Sequence, residues 1–438
     1  MIQVNLYISN FRVIGKRLTG IALTVMLLLC LYNGASFCIY VPATETNSRL
    51  SWNRYYSETD NIDSLLLGSS HVHSDINVEL LNREDNNYFM FATAGQSIRD
   101  SYYVFKEVSR SHNIDDVYLE LYFRVNVQED IVPSWRILDY MKTSNVKFDY
   151  IYNICSKENF FDTIFPALRY RTAVFDLEQI RKNVTEKTSR QYCEYQSELF
   201  TEEGFMGSDE KLSSENFIYS KNNKWFDEDP LDEEADLYLR KFIEECQDKG
   251  INIHLFSSPI TNLELLAIGN YDYYVTQINA IVAEYGIEYY DFNLCKSEYL
   301  PLDQSLHFRD TDHLNNNGVE IYTELFEAVV INSEVSKEEY FYTTYAEKKL
   351  SEGAKVWGII RLNQEKQDET GCNFMLATSN HPEVAYKIEF WTDNGEYMLV
   401  QDYSENVFFS LPTGLDGICR IVMKDISGEI IQVLELDY

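Results

Sequence analysis

Short apolar runs, each closed by small or turn-forming residues, alternate with stretches whose apolar residues recur at helical spacing. Asp63-Ser64-Leu65-Leu66-Leu67 stops at Gly68-Ser69-Ser70-His71. A run of that length predicts a buried parallel strand over 65–67 feeding a tight turn. Residues 76–82 read as helical. Tyr88-Phe89-Met90-Phe91 predicts a second strand running into Ala92-Thr93-Ala94-Gly95-Gln96-Ser97. Ile98, Tyr102, Phe105 and Val108 then predict a helix within 98–112, with Ser97 as its N-cap. A third strand follows over 117–123. This β-α-β-α-β order predicts a parallel, three-layer α/β/α sandwich.

The rhythm breaks over 125–230, which is polar, aromatic and acidic with helical pieces near 134–155 and 157–190. That segment reads as an insertion over the functional edge of the sheet, a lid or an acceptor-binding region. The alternation resumes with a helix over 232–249 closed by Gly250, a strand over 251–256, a helix over 271–285 closed by Gly286, a strand over 287–292 and a last helix over 317–331. From 355 to 438 the strands are short and alternating, with hairpin signals at Asp393-Asn394-Gly395 and Ser427-Gly428. They predict a C-terminal antiparallel, sandwich-like β domain over 335–438.

One stretch has neither pattern. Residues 18–41 are apolar apart from interruptions such as Asn33, Gly34 and Ser36, and about 20 apolar residues suffice to cross a bilayer. Arg12, Lys16 and Arg17 precede it and predict a cytoplasmic N-terminus over 1–17 and an exported body. Ala35 and Ser36 would suit a signal-peptide cleavage site, but the apolar run continues through Phe37-Cys38-Ile39-Tyr40-Val41 and favours an uncleaved anchor. No later stretch qualifies, so a single-pass protein of the cell membrane is expected. Residues 42–60 read as a tether, polar from 51 onward, and 61–334 as the α/β domain.

Composition adds bounds rather than chemistry. With 438 residues, more than one domain is expected. A formal net charge of -33 argues against nucleic acid and anionic membrane surfaces as partners. Eight cysteines without a CxxC pair argue against zinc ribbons and thioredoxin-like motifs. Cys372 and Cys419 are the best disulfide candidates, and free buried thiols are the equal alternative.

A serine at the carboxyl end of a parallel strand stands where open α/β sheets place their sites. Ser70 is such a residue, and Asp310-Thr311-Asp312-His313 supplies an acid and an imidazole three residues apart. A serine hydroxyl needs a base within hydrogen-bond reach. His313 is the candidate base and Asp310 its orienter, with Asp312 the alternative that adjacency in sequence disfavours. The backbone N–H groups of Ser70 and Gly95 are candidate oxyanion donors. Tyr122 or Arg124, after the third strand, stands where a third donor is expected. Arg169 and Arg171, in the most basic spot of the insertion, are candidates for binding an anionic acceptor, and pairing with nearby carboxylates is the competing reading. A minor metal reading joins His71 and His73 to Asp310, Asp312 and His313.

These motifs resemble the SGNH (GDSL-type) hydrolase superfamily over about residues 60–330. Gly68-Ser69-Ser70-His71 stands where that family has Gly-Asp-Ser-Leu, Ala94-Gly95-Gln96-Ser97 matches its second block, and Asp310-Thr311-Asp312-His313 matches its Asp-x-x-His block. The resemblance implies Ser70 as nucleophile, an oxyanion N–H from Gly95, and Asp310 with His313 as partners. Two departures stand out: Ser69 replaces the Asp, and no Gly-x-Asn-Asp block occurs near Tyr122. With Gly-Ser-Ser, an anchor and an insertion, the chain is most similar to exported members that modify envelope polymers, such as those of teichoic acid D-alanylation and alginate acetylation. The resemblance implies esterase or acyltransferase chemistry on an envelope glycan or acylated polymer. No cofactor is expected, and a membrane acyl-donor protein is an expected partner for transfer. A scaffold or glycan-binding protein that kept the fold without the chemistry is the alternative.

Overall fold

The computed structural model describes residues 2–40, 47–82, 87–127, 130–220, 231–332, 336–362, 372–411, 414 and 416–438. Val41 of the expected anchor and residues 42–46 of the expected tether lie outside them. The chain divides into two compact units, Met1–Arg49 with Trp135–Ser197, and Leu50–Ser134 with Glu198–Tyr438.

The larger unit is mixed α/β. Its strands are β1 (Ser64–Gly68), β2 (Tyr88–Ala92), β3 (Asp116–Glu120), β4 (Ile218–Ser220), β5 (Asn252–Ser257), β6 (Tyr289–Asp291), β7 (Val356–Arg361), β8 (Cys372–Thr378), β9 (Val384–Thr392), β10 (Tyr397–Ser404), β11 (Phe408–Leu411), β12 (Gly417–Asp425) and β13 (Ile430–Asp437). Five of them form a parallel sheet in the order β2-β1-β3-β5-β6. Leu65, Leu66 and Leu67 of β1 and every residue of β2 are buried, as expected for strands covered on both faces. The chain leaves β1 for β2 on one side and returns to β3 on the other. The carboxyl end of β1 is therefore the switch point of the sheet, where a crevice opens.

Several elements differ from the sequence reading, each for a local reason. The third strand ends at Glu120 rather than at 123, because Phe123 begins the helix Phe123–Val127. The strand expected over 287–292 shortens to Tyr289–Asp291, where the Asp291 side chain accepts from the Asn293 N–H and starts a 3-10 turn. Part of the stretch read as a tether forms the helix Ser48–Ser57. Trp52 and Tyr55 lie on one face of it and are buried, Trp52 with its ring 4.7 Å from Phe91 and Tyr55 donating to the Glu107 carbonyl at 2.9 Å.

The C-terminal strands form two four-stranded sheets, β10-β9-β12-β13 and β11-β8-β7-β4. The first is antiparallel throughout, whereas β4, contributed from far upstream, pairs parallel to β7. Phe374, Ile388, Phe390 and Ile421 belong to the core that both sheets share. Cys372 and Cys419 also face this core, but as free thiols. They stand on different sheets, which pack about 10 Å apart, and bridged cysteines usually need Cα atoms within about 4.4–6.8 Å.

The smaller unit holds the helix Ile2–Ile39. Within it, Lys16–Ile39 is the one helical stretch among the described residues that is long and apolar enough to cross a membrane, with a mean hydropathy of 1.9. The helix Leu177–Lys187 packs at its end. Asn183 Nδ2 donates to the Cys38 carbonyl at 3.1 Å, and Lys187 Nζ to the Phe37 carbonyl at 2.8 Å and to that of Tyr40. Carbonyls that a helix C-terminus leaves open are thereby satisfied.

Gly68 closes β1 with no room for a side chain, since a Cβ there would stand 2.6 Å from Glu120 Oε2 and 2.6 Å from Val72 Cγ2. We expect Gly68→Ala to lower the unfolding free energy by about 1–3 kcal/mol in urea denaturation, the usual cost of overpacking. A change below about 0.5 kcal/mol, the ordinary scatter of harmless substitutions, would show that Glu120 can step aside.

Candidate active site

Ser70 opens the helix Ser70–Asp75 directly after β1, and Ser69 caps it. Ser70 Oγ lies 2.8 Å from His313 Nε2. His313 Nδ1 lies 3.0 Å from Asp310 Oδ1 and 3.1 Å from Oδ2. Serine, imidazole and carboxylate thus form one continuous hydrogen-bonded line across 243 positions of chain.

The loop that supplies two of these groups is built by its own backbone. Phe308 and Leu314 form a β-bridge, and the Arg309 N–H donates to the His313 carbonyl at 3.0 Å. Asp310 Oδ1 also accepts from the N–H groups of Asp312 (2.9 Å) and His313 (2.7 Å), folding the carboxylate back onto the imidazole. Burial alone would raise the Asp310 pKa. The hydrogen bond and charge of His313, with those backbone N–H groups, outweigh it and hold the carboxyl well below its usual range. Asp75 ties the loop to the serine helix, its Oδ1 accepting the Leu314 N–H at 2.9 Å. Its remaining oxygen has no hydrogen-bond partner among the described residues, and burial pushes the carboxyl up to about 7.

His71 forms a second layer behind the line. Its ring stacks on His313 at 4.7 Å with an 18° interplanar angle and meets the Tyr122 ring edge-on at 4.1 Å. His71 Nδ1 is 3.2 Å from Glu120 Oε1, and both side chains are buried. Burial would lower the His71 pKa, but the Glu120 charge and hydrogen bond outweigh it and raise it to about 9. The carboxylate beside it thus favours the charged form of His71. His73 is its opposite: burial, with His313, Arg309 and His71 nearby, pushes it down to about 3, and its Nδ1 pairs with Ser74 Oγ at 3.1 Å. Among the described residues, no group of three or more His, Cys, Asp or Glu side chains is placed to hold a metal ion.

The remaining sequence candidates have other partners. Tyr122 donates its hydroxyl to Asp312 Oδ2 at 3.2 Å, so that donor is already committed. Arg124 also reaches Asp312 Oδ2, at 3.1 Å, and bonds Glu264 and the Tyr219 hydroxyl. Asp312 therefore faces this cluster, while Asp310 faces the histidine. Burial and the nearby Asp312 charge raise Glu264 to about 7 despite Arg124. Gly95 sits in the turn after β2, beside the serine turn after β1: the Thr93 N–H donates to the Gly68 carbonyl at 3.3 Å. Its φ of +76° lies in the left-handed region that favours glycine. Arg169 and Arg171 belong to the other compact unit. Arg169 forks onto Asp139 at 2.7 and 2.9 Å, and Arg171 meets Asp162 at 3.1 Å, so both are matched by carboxylates of their own unit.

The sequence reading missed Glu120, Asp75 and the pairing of Arg124 with Glu264. One signal was present: a carboxylate ending an otherwise apolar strand, beside a Gly-Ser-Ser-His turn, must find a partner when buried.

The Glu120–His71 pair has a definite pH signature. A folded pKa of about 9 against an ordinary 6.5 means that its contribution is complete below about 6.5 and lost as pH rises through about 9. We expect the stability gap between the wild type and His71→Gln to narrow between pH 6.5 and 10 in urea denaturation. A gap that stays constant over that range would mean the pair is not ionic.

Compared with protein-family models the chain matches none, and compared with curated proteins it matches none.

Proposed function

We propose that the chain is a membrane-anchored serine esterase or O-acyltransferase with an SGNH-like three-layer sandwich, acting on an acyl group of a cell-envelope glycan or polymer. The observation that carries this reading is the Ser70–His313–Asp310 line at the switch point of a parallel sheet. Arg12, Lys16 and Arg17, ahead of the apolar stretch, favour a cytoplasmic N-terminus and an extracytoplasmic site.

In this reading Ser70 Oγ attacks the ester carbonyl while His313 Nε2 takes its proton. Asp310, ionised throughout the neutral range, holds the ring orientation and stabilises the imidazolium. The N–H groups of Ser70 and Gly95 face the developing oxyanion. His313 then returns the proton to the leaving alcohol, leaving an acyl ester on Ser70. A glycan hydroxyl or water, deprotonated by His313, attacks that ester and frees the serine. No cofactor enters the cycle. Transfer rather than hydrolysis requires an acyl donor, which a membrane partner protein would deliver.

One observation favours a second reading, a non-catalytic envelope scaffold or glycan binder. The stretch after β3 reads Tyr122-Phe123-Arg124 where the family has its Asn donor, and the Tyr122 hydroxyl is taken by Asp312.

Labelling of the full chain in detergent with a serine-reactive fluorophosphonate separates the two. We expect the wild type to label, and Ser70→Ala and His313→Ala to lose labelling while keeping their circular dichroism. Asp310→Asn should slow labelling by roughly 10²–10⁴-fold, and Asp312→Asn by far less. Persistent labelling of Ser70→Ala would assign a different nucleophile. A folded wild type that does not label would favour the scaffold.

A further inference from the structure

The smaller unit exposes large apolar side chains in a short span of chain. Phe148, Tyr152, Phe161, Phe165, Phe175 and Leu177 are all exposed, Phe175 at 92% and Tyr152 at 81%. They lie on the helices Asn145–Ile154, Phe160–Ile164 and Leu177–Lys187 and on the 3-10 segment Pro166–Phe175, with Phe165 at the junction between Ile164 and Pro166. Scattered exposed apolar residues need no explanation, but such a concentration marks a surface with an occupant.

The contacts of this segment with the N-terminal helix identify the occupant. The Phe165 ring lies 5.7 Å from that of Tyr32. With Lys16 and Arg17 at one membrane face, Tyr32 stands about 21 Å along the helix from Leu18, at about 1.5 Å per residue. That is inside an acyl-chain region about 30 Å thick. The polar contacts come higher. Lys187 and Asn183 bond carbonyls of Phe37, Cys38 and Ile39, about 30 Å from Leu18 by the same rise, at the headgroup boundary. Apolar contacts at acyl depth and polar contacts at headgroup depth are the order a bilayer imposes. The two arginines of the segment follow the same rule, since Arg169 is paired with Asp139 and Arg171 with Asp162. A net charge of -33 leaves no electrostatic attraction to anionic lipid, so apolar burial is the driving force.

We propose that residues 148–177 form a second membrane contact, an aromatic surface that enters the outer acyl-chain layer beside the N-terminal helix. This rests on the reading of that helix as a membrane anchor. The test separates the two ideas. p-Benzoylphenylalanine, which inserts into nearby C–H bonds on irradiation, replaces Phe161 or Phe175 in the full chain reconstituted in phosphatidylcholine vesicles. The same replacement at Leu27, exposed on the N-terminal helix, reports the anchor, and at Leu350, exposed on the larger unit, reports background. We expect a mass shift of one phospholipid at 27, 161 and 175, and none at 350. A shift at 27 without one at 161 or 175 overturns the proposal and leaves the anchor standing. No shift at 27 removes the anchor and the proposal together. A shift at 350 equal to that at 161 makes the contact unspecific and also overturns it. Irradiation in native membranes that joins 161 or 175 to one protein, in place of lipid, assigns the surface to a membrane partner instead.

Discussion

The carboxylate of Glu120 is the constraint on which the rest of the site depends. It ends β3, is buried, accepts the Ser69 N–H at 2.7 Å and stands 3.2 Å from His71 Nδ1. It also fills the space where a side chain on Gly68 would lie. Three residues of the Gly-Ser-Ser-His turn are thus set by one side chain from the neighbouring strand. Removing one partner from a buried ion pair typically costs about 3–5 kcal/mol, because the other charge is stranded. The turn is therefore held by a charge balance as well as by packing, and the stack of His71 on His313 carries that rigidity to the second half of the site.

That second half is organised by a division of labour between near neighbours. Asp310 and Asp312 are two residues apart, yet they face different partners. The turn makes Asp310 accept from the two backbone N–H groups that follow it, which aims its carboxylate at His313. Asp312 points the other way, to Tyr122 and Arg124. Arg124 in turn offsets both Asp312 and Glu264, so two carboxylates share one guanidinium. Such coupling holds the loop from one side, while Asp75 holds its backbone from the other.

Much of this was legible in the sequence where one local force decides. Continuous apolar runs marked the buried parallel strands, because both faces are covered. Ser97 announced a helix start, and its side chain does accept from the Asp100 N–H in a capping box. Gly250 and Gly286 marked helix ends, and both cap them. What stayed hidden depends on partners distant in sequence. Trp52 and Tyr55 sit in a polar-looking stretch, and only their burial beside Phe91 and Glu107 reveals a helix that belongs to the fold. The pairing of β4 with β7 joins segments that no local pattern connects. Ser70, Asp310 and His313 could be brought together by strand order. The carboxylate and imidazole behind them could not, since a buried charge is intelligible only with its counter-ion in view.

The separation of 243 positions between Ser70 and His313 also bears on how the molecule comes into being. Strands β1, β2 and β3 are close in sequence and can associate early, with Ser70 already at the end of β1. His313 reaches it only after β5 and β6 have docked and the loop of 308–314 has closed on Asp75. Contacts of such long sequence separation form slowly, since a large loop must close before they return any energy. A chain emerging N-terminus first would carry a serine without its imidazole neighbour until nearly the whole sheet is built. Any reactivity this pair possesses is thereby withheld from half-made chains and becomes a property of the finished fold alone.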